Sequence, residues 1–220
     1  MSRGGKLFLV LCSWLLVPVA MHSQNRPASS VSCWEGRART SFQSRREKTP
    51  VMKSSGGFAY AEVSAEASTI SDSGQLCKNK AQLFYSKSGS DYQLIYEKDG
   101  LEDQGVGMRV IGWSHSGRQL LVELTVWGYD SEADPTKSAL VFDSTAAQVK
   151  DLPLGDAFER VLGRDCEFDS TLVGWGSNDN VLIRVSKTPL TSRYEQTFCV
   201  ERPTLYSFNM KDGSMQKGGK

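Results

Sequence analysis

The chain has 220 residues, with 26 basic side chains against 25 acidic ones and 2 histidines. That length holds one good-sized domain or two small ones. An apolar share of 39% with 10% aromatics is that of a folded chain rather than a disordered one, and the even charge balance argues against a nucleic-acid-binding protein.

Arg3 and Lys6 precede the apolar run LFLVLCSWLLVPVA (7–20). The run is shorter than the about 20 residues of a membrane span. It ends at Pro18 before small and polar residues, as a secretory signal does. The expectation is a signal over residues 1–23, cleaved after Ser23, with Gln24 as the mature start. Arg3 and Lys6 leave with it, so 24 basic residues then face 25 acidic ones. No second apolar segment is long enough to span a membrane, so the mature chain is expected to lack a span and to be secreted or periplasmic. Residues 24–46 read as a leader carrying the first cysteine, and residues 47–217 as one β-rich domain. The short basic cluster SRREK (44–48) reads as a solvated surface.

Within the domain the pattern is that of strands, and it repeats. MKSSGGFAYAEV (52–63), WSHSGRQLLVEL (113–124) and WGSNDNVLIRV (175–185) each join a bulky residue, a small polar turn and about five strand residues. Tyr60, Leu121 and Leu182 fall 61 residues apart. Gly56, Gly117 and Asn178 supply residues that tolerate a positive φ. Further strands are expected at AQLFYS (81–86), SALVFD (138–143) and PTLYSF (203–208). STAAQVKDL (144–152) and NMKDGSMQK (209–217) carry turn and strand signals. One short helix is expected in LPLGDAFERVLGR (152–164), capped by Asp156 and ended by Gly163. The end KDGSMQKGGK (211–220) reads as a loose tail.

The segment WSHSGRQLLVEL…ALVFDSTAAQVKDL resembles a blade of the TolB-like, WD40-like β-propellers, whose turn is W-S-x-D-G followed by strands and a D-x-x-[TS]-G turn. His115 and Ser116 stand where that family prefers Pro and Asp. Ala147 stands near the place of the turn glycine, and Met52 replaces the first tryptophan. The resemblance implies an all-β fold of three propeller-like four-stranded repeats. Propellers usually have four or more blades, so a β-sandwich is the alternative.

Cys33, Cys77, Cys166 and Cys199 remain after cleavage, and an exported chain permits disulfides. Four cysteines allow three pairings. Cys77 lies six residues before Leu83 and Cys199 six before Leu205, whereas the second unit has Asp134 there and Gln104 in place of Cys166. Joint absence of both cysteines from one unit points to bonds within units, Cys33–Cys77 and Cys166–Cys199.

The chemistry of catalysis is sparse. His115 is the one histidine outside the signal, no G-x-S-x-G surrounds a serine, and the cysteine spacing suits no zinc site. No phosphate-binding glycine loop and no cofactor motif is present, so neither metal nor cofactor is expected. SNDN (177–180) and DSEAD (130–134) read as polar turns before calcium loops. Glu62, Glu123 and Arg184, at matching strand positions, leave a carboxylate hydrolase acting on an extracellular glycan as the rival reading. The favoured reading is a binding protein with a protein or glycan partner. It uses the loop TVWGYDSEADPTK (125–137), with Trp127 and Tyr129 as anchors beside Asp130 and Asp134.

Overall fold

The computed structural model describes residues 45–70, 74–101, 104–128, 135–164, 166–187 and 200–218. They form three antiparallel sheets and one α-helix. The first sheet contains β1 (Arg45–Lys48), β2 (Met52–Ser54), β3 (Gly57–Ile70), β4 (Gly74–Ser86) and β5 (Gln93–Asp99). Because β1 and β2 pair with successive parts of β3, they are two pieces of one first strand. The middle sheet runs β6 (Gln104–Trp113), β7 (Gln119–Gly128), β8 (Thr136–Asp143) and β9 (Gln148–Asp151). Helix α1 (Leu154–Leu162) leads to the third sheet, β10 (Asp169–Trp175), β11 (Val181–Ser186), β12 (Thr204–Phe208) and β13 (Met215–Lys217). The all-β class and a three-fold series of four-stranded meanders are thus present. The described residues close no barrel.

Burial explains the composition of each strand. Along β7, Leu120, Val122 and Leu124 join Ala59, Ala61, Val63 and Leu83 of the first sheet in one core. Leu121 joins Val181, Ile183 and Phe208 of the third sheet in another. The middle sheet is therefore covered on both faces, and LLVEL can be almost continuously apolar. By contrast β11 alternates, with Val181, Ile183 and Val185 buried and Arg184 exposed, because only one face is packed.

Turn length sets how the units correspond. Ser54 pairs with Gly57 across two residues, Ser114 donates to Gln119 across four, and Gly176 donates to Asn180 across three. Matched from the turn outward, Phe58, Leu120 and Val181 are counterparts, so Ala59 rather than Tyr60 corresponds to Leu121 and Leu182. Side-chain direction agrees. Ala59 faces the middle sheet as Leu121 faces the third, whereas Tyr60 stacks on Phe84 on the other face. One residue of slip exchanges the faces of a strand. Leu83 pairs with Ala61, Ala139 with Glu123 and Leu205 with Arg184. Leu83 and Leu205 therefore keep their correspondence, while the second unit contributes Ala139, not Leu140.

The tryptophans tie the sheets together. Trp113 Nε1 donates to the Met52 carbonyl at 3.2 Å, and Trp175 Nε1 donates to the Gly112 carbonyl at 2.8 Å. Each indole thus reaches the first strand of the preceding sheet. The turns meet as well. Ser54 Oγ donates to the Gly117 carbonyl at 3.1 Å, and the His115 N–H donates to Asp179 Oδ1 at 3.0 Å. Gly117 and Asn178 do adopt positive φ, 71° and 60°. Gly56 is needed for a different reason: a Cβ there would lie 2.0 Å from the Gly117 carbonyl oxygen.

Two local expectations change. Asp156 lies in the first turn of α1, and the N-cap is Pro153, without a side-chain cap; Gly163 ends the helix as expected, at φ 97°. Residues 215–217 are not a loose tail. Asn209 and Asp212 cap the preceding turn through the N–H groups of Lys211 and Ser214, and Met215 is buried against the third sheet.

Candidate functional site

The end of the middle sheet opposite its hairpin turns gathers the features that suit binding. Here β7 finishes with Trp127 paired to Gly105. The indole lies over that glycine so closely that a Cβ on Gly105 would be 2.2 Å from Trp127 Cε2. Trp127 is half-buried in this position. Its ring is held by the neighbouring strand, and the loop leaves from Gly128. Tyr129, Asp130 and Asp134 lie outside the described residues, as do Cys33 and Cys199. The chain returns at the exposed Pro135, and Thr136 pairs with Val126.

Beside this loop base is a groove of about 350 Å³ between the start of β8 and the start of α1. Ala139, Leu152 and Leu154 give it an apolar lining, with Lys137, Asp151 and Asp156 around it. The connection 151–156 is shaped by backbone bonds, with the Leu152 N–H donating to Ala139 O and the Ala157 N–H to Pro153 O. Lys137 is already engaged, since Nζ donates to Asp169 Oδ1 at 2.8 Å and to the Ser170 carbonyl at 3.2 Å. Asp151 differs. The residue is exposed, yet partial desolvation of its carboxyl raises its pKa above the ordinary range, opposed by the Leu152 N–H. Burial likewise raises the nearby Tyr96 hydroxyl, with a further contribution from the Asp151 charge. Among the described residues no cation forms a salt bridge with Asp151. Sequence reading missed this acid because its surroundings depend on β5 of the first sheet, whose Tyr96 lies near it.

The other candidates do not converge on this groove. Glu62 lies on the face of the first sheet away from the middle one, bound by Arg46 at 3.0 Å and Lys48 at 3.1 Å. Lys48 also stands 5.1 Å over the Tyr60 ring. Glu123 lies between the middle and third sheets, holding Arg109 at 3.0 Å and accepting the Leu172 N–H at 3.4 Å. Arg184 is exposed on the far face of the third sheet. The three residues therefore occupy different faces. His115 is 70% exposed at a turn. Cys166 Sγ sits against the Leu162 carbonyl after α1, and Cys77 stands opposite Ala67 in the β3–β4 pair.

Among the described residues no group of three His, Cys, Asp or Glu side chains is placed to hold a metal, and no helix is long and apolar enough to cross a membrane. No family model, curated protein or solved structure matches the chain.

Proposed function

We propose that this chain is an exported, disulfide-bearing binding protein of propeller-like build. It engages a protein or glycan partner through the loop 127–134 and the adjoining groove. The observation that carries this reading is the groove at the base of that loop, where the apolar Leu152 and Leu154 meet polar residues at the starts of β8 and α1. Few, well-placed polar groups on an apolar concave surface are what binding sites use. Because the Trp127 ring rests on Gly105, the proposal assigns the contacts chiefly to Tyr129, Asp130 and Asp134. The propeller-like assignment is supported by the repeated packing, in which corresponding faces meet at both sheet junctions. The pairs Cys33–Cys77 and Cys166–Cys199 retain the argument that Leu83 and Leu205 are counterparts.

A photo-crosslinking residue at Tyr129 tests the site in the exporting cell. A discrete adduct from that position, and none from the same residue at Lys87, is expected; equal labelling would overturn the site. The intact mass of the exported protein tests the remainder. It should begin at Gln24 and lack the hydrogens of two bridges, whereas a chain retaining Met1, or four free thiols, contradicts the proposal.

A further inference from the structure

We infer that β1 is a releasable strap over a docking edge on β3, and that this edge takes a strand of a partner polypeptide carrying two basic side chains two residues apart. The surface is separate from the loop and groove of the proposed function and does not rest on that reading. β1 is exposed along its whole length, and its sequence, RREK, brings no apolar side chain to the core. Pro50 and Val51 after it are exposed as well, so a short surface hinge joins it to β2. The edge beneath is fixed independently. Ala61, Val63 and Ala65 of β3 pack in the first core, and β3 pairs with β4 from Phe58 to Ile70. Release of β1 therefore leaves the β3 edge in place with its backbone groups open, the arrangement that strand addition uses. Elements held without apolar burial open at low free energy. Glu62 sets the selectivity. Its side chain is only 5% exposed, and both of its cations, Arg46 at 3.0 Å and Lys48 at 3.1 Å, come from β1. The seated β1 thus shows what the edge accepts, an antiparallel strand with Arg46 opposite Ser64 and Lys48 opposite Glu62. A strand with neutral or acidic residues at those places would cover the carboxylate without supplying a cation, which disfavours it.

Amide exchange followed by NMR on the full folded protein tests both parts. The Ala61 N–H donates to Thr49 Oγ1 and the Thr49 N–H to the Ala61 carbonyl, each at 2.9 Å. The amides of Ala61, Val63 and Ala65 therefore point toward β1, and those of Glu62 and Ser64 toward β4. In the double variant Arg46→Gln, Lys48→Gln the first three should exchange about tenfold faster, with Glu62 and Ser64 unchanged. Salt at about 1 M should shift the same three amides in the same direction in the parent protein. An acetylated synthetic peptide of residues 45–49, RREKT, should restore their protection in the double variant in a saturable way. The parent should bind that peptide about tenfold more weakly, because its own strap competes. The same peptide with glutamate in place of Arg46 and Lys48 should bind about fivefold more weakly than the basic one, and adding Glu62→Gln to the double variant should remove most of that difference. Exchange of Ala61, Val63 and Ala65 only through global unfolding, in the variant and in salt, would make β1 a fixed strand and overturn the strap. Failure of the basic peptide to protect these amides would overturn the docking edge, and equal binding of the acidic peptide would overturn its preference for basic strands.

Discussion

Ala147 illustrates how one residue departs from its structural counterpart. It occupies φ 50° in the turn after β8, and Gly213 occupies φ 68° after β12. The two turns correspond, because Phe142 pairs with Val149 and Phe208 with Met215. Left-handed backbone is costly for a residue with a Cβ. Ala147→Gly relieves this strain, although the unfolded chain gains freedom. A net stabilisation of about 0.5 kcal/mol is expected, worth about 1–2 °C in melting temperature for a chain of this size. Calorimetry checks it, and a destabilised variant would mean that the turn does not require positive φ.

Asp143 and Asp151 respond oppositely to pH. Hydrogen bonds from the Thr145 hydroxyl, assisted by the Thr145 and Ala146 N–H groups, lower the Asp143 pKa. Its contribution is present above the unfolded value of about 3.9 and disappears as pH falls through the lower folded value. Partial desolvation raises the Asp151 pKa. Its contribution is greatest below the unfolded value and is lost as pH rises through the folded one. Asp151→Asn should therefore melt higher than the parent at pH 7 and show little advantage near pH 3. An advantage that grows in acid would contradict the desolvation of this carboxyl.

At the scale of the strand, legibility followed the number of packed faces and the length of the turns. The alternation in VLIRV reflects a strand with one buried face, and the unbroken LLVEL one with two. Correspondence between units was harder to read, because a difference of one or two turn residues changes which face a side chain occupies. Tyr60 therefore looked equivalent to Leu121 in sequence, although Ala59 is its counterpart in packing. Gly105 was similarly silent: nothing local announces that a tryptophan from the next strand will cover it. Gly105→Ala should destabilise the protein by about 1–3 kcal/mol through overpacking. Chemical denaturation measures this directly, and an unchanged midpoint would show that Trp127 is free to move away.

For the whole molecule, the three sheets form a stack whose middle member carries both junctions. The side facing the first sheet is wholly apolar among its core residues, including Val106, Met108, Leu140 and Phe142. The side facing the third sheet also contains the Arg109–Glu123 pair. The end surfaces are more polar, with Arg46, Lys48 and Gln82 on the first sheet and Arg184 and Ser207 on the third. Terminal units of repeat proteins require such surfaces to remain soluble. The repeats announced this series of sheets in the sequence. The groove was not legible there, since it arises where the β9–α1 connection folds back beside β8 and no short motif records that meeting.

Native-state amide hydrogen exchange tests the stack most directly, because elements differ in the free energy needed to expose them. Leu121, Val122 and Leu124 in β7 should exchange only with global unfolding, while β5 and β13, at the sheet edges, exchange through smaller openings. Exchange in β7 as fast as in β5 would contradict a middle sheet buried on both faces.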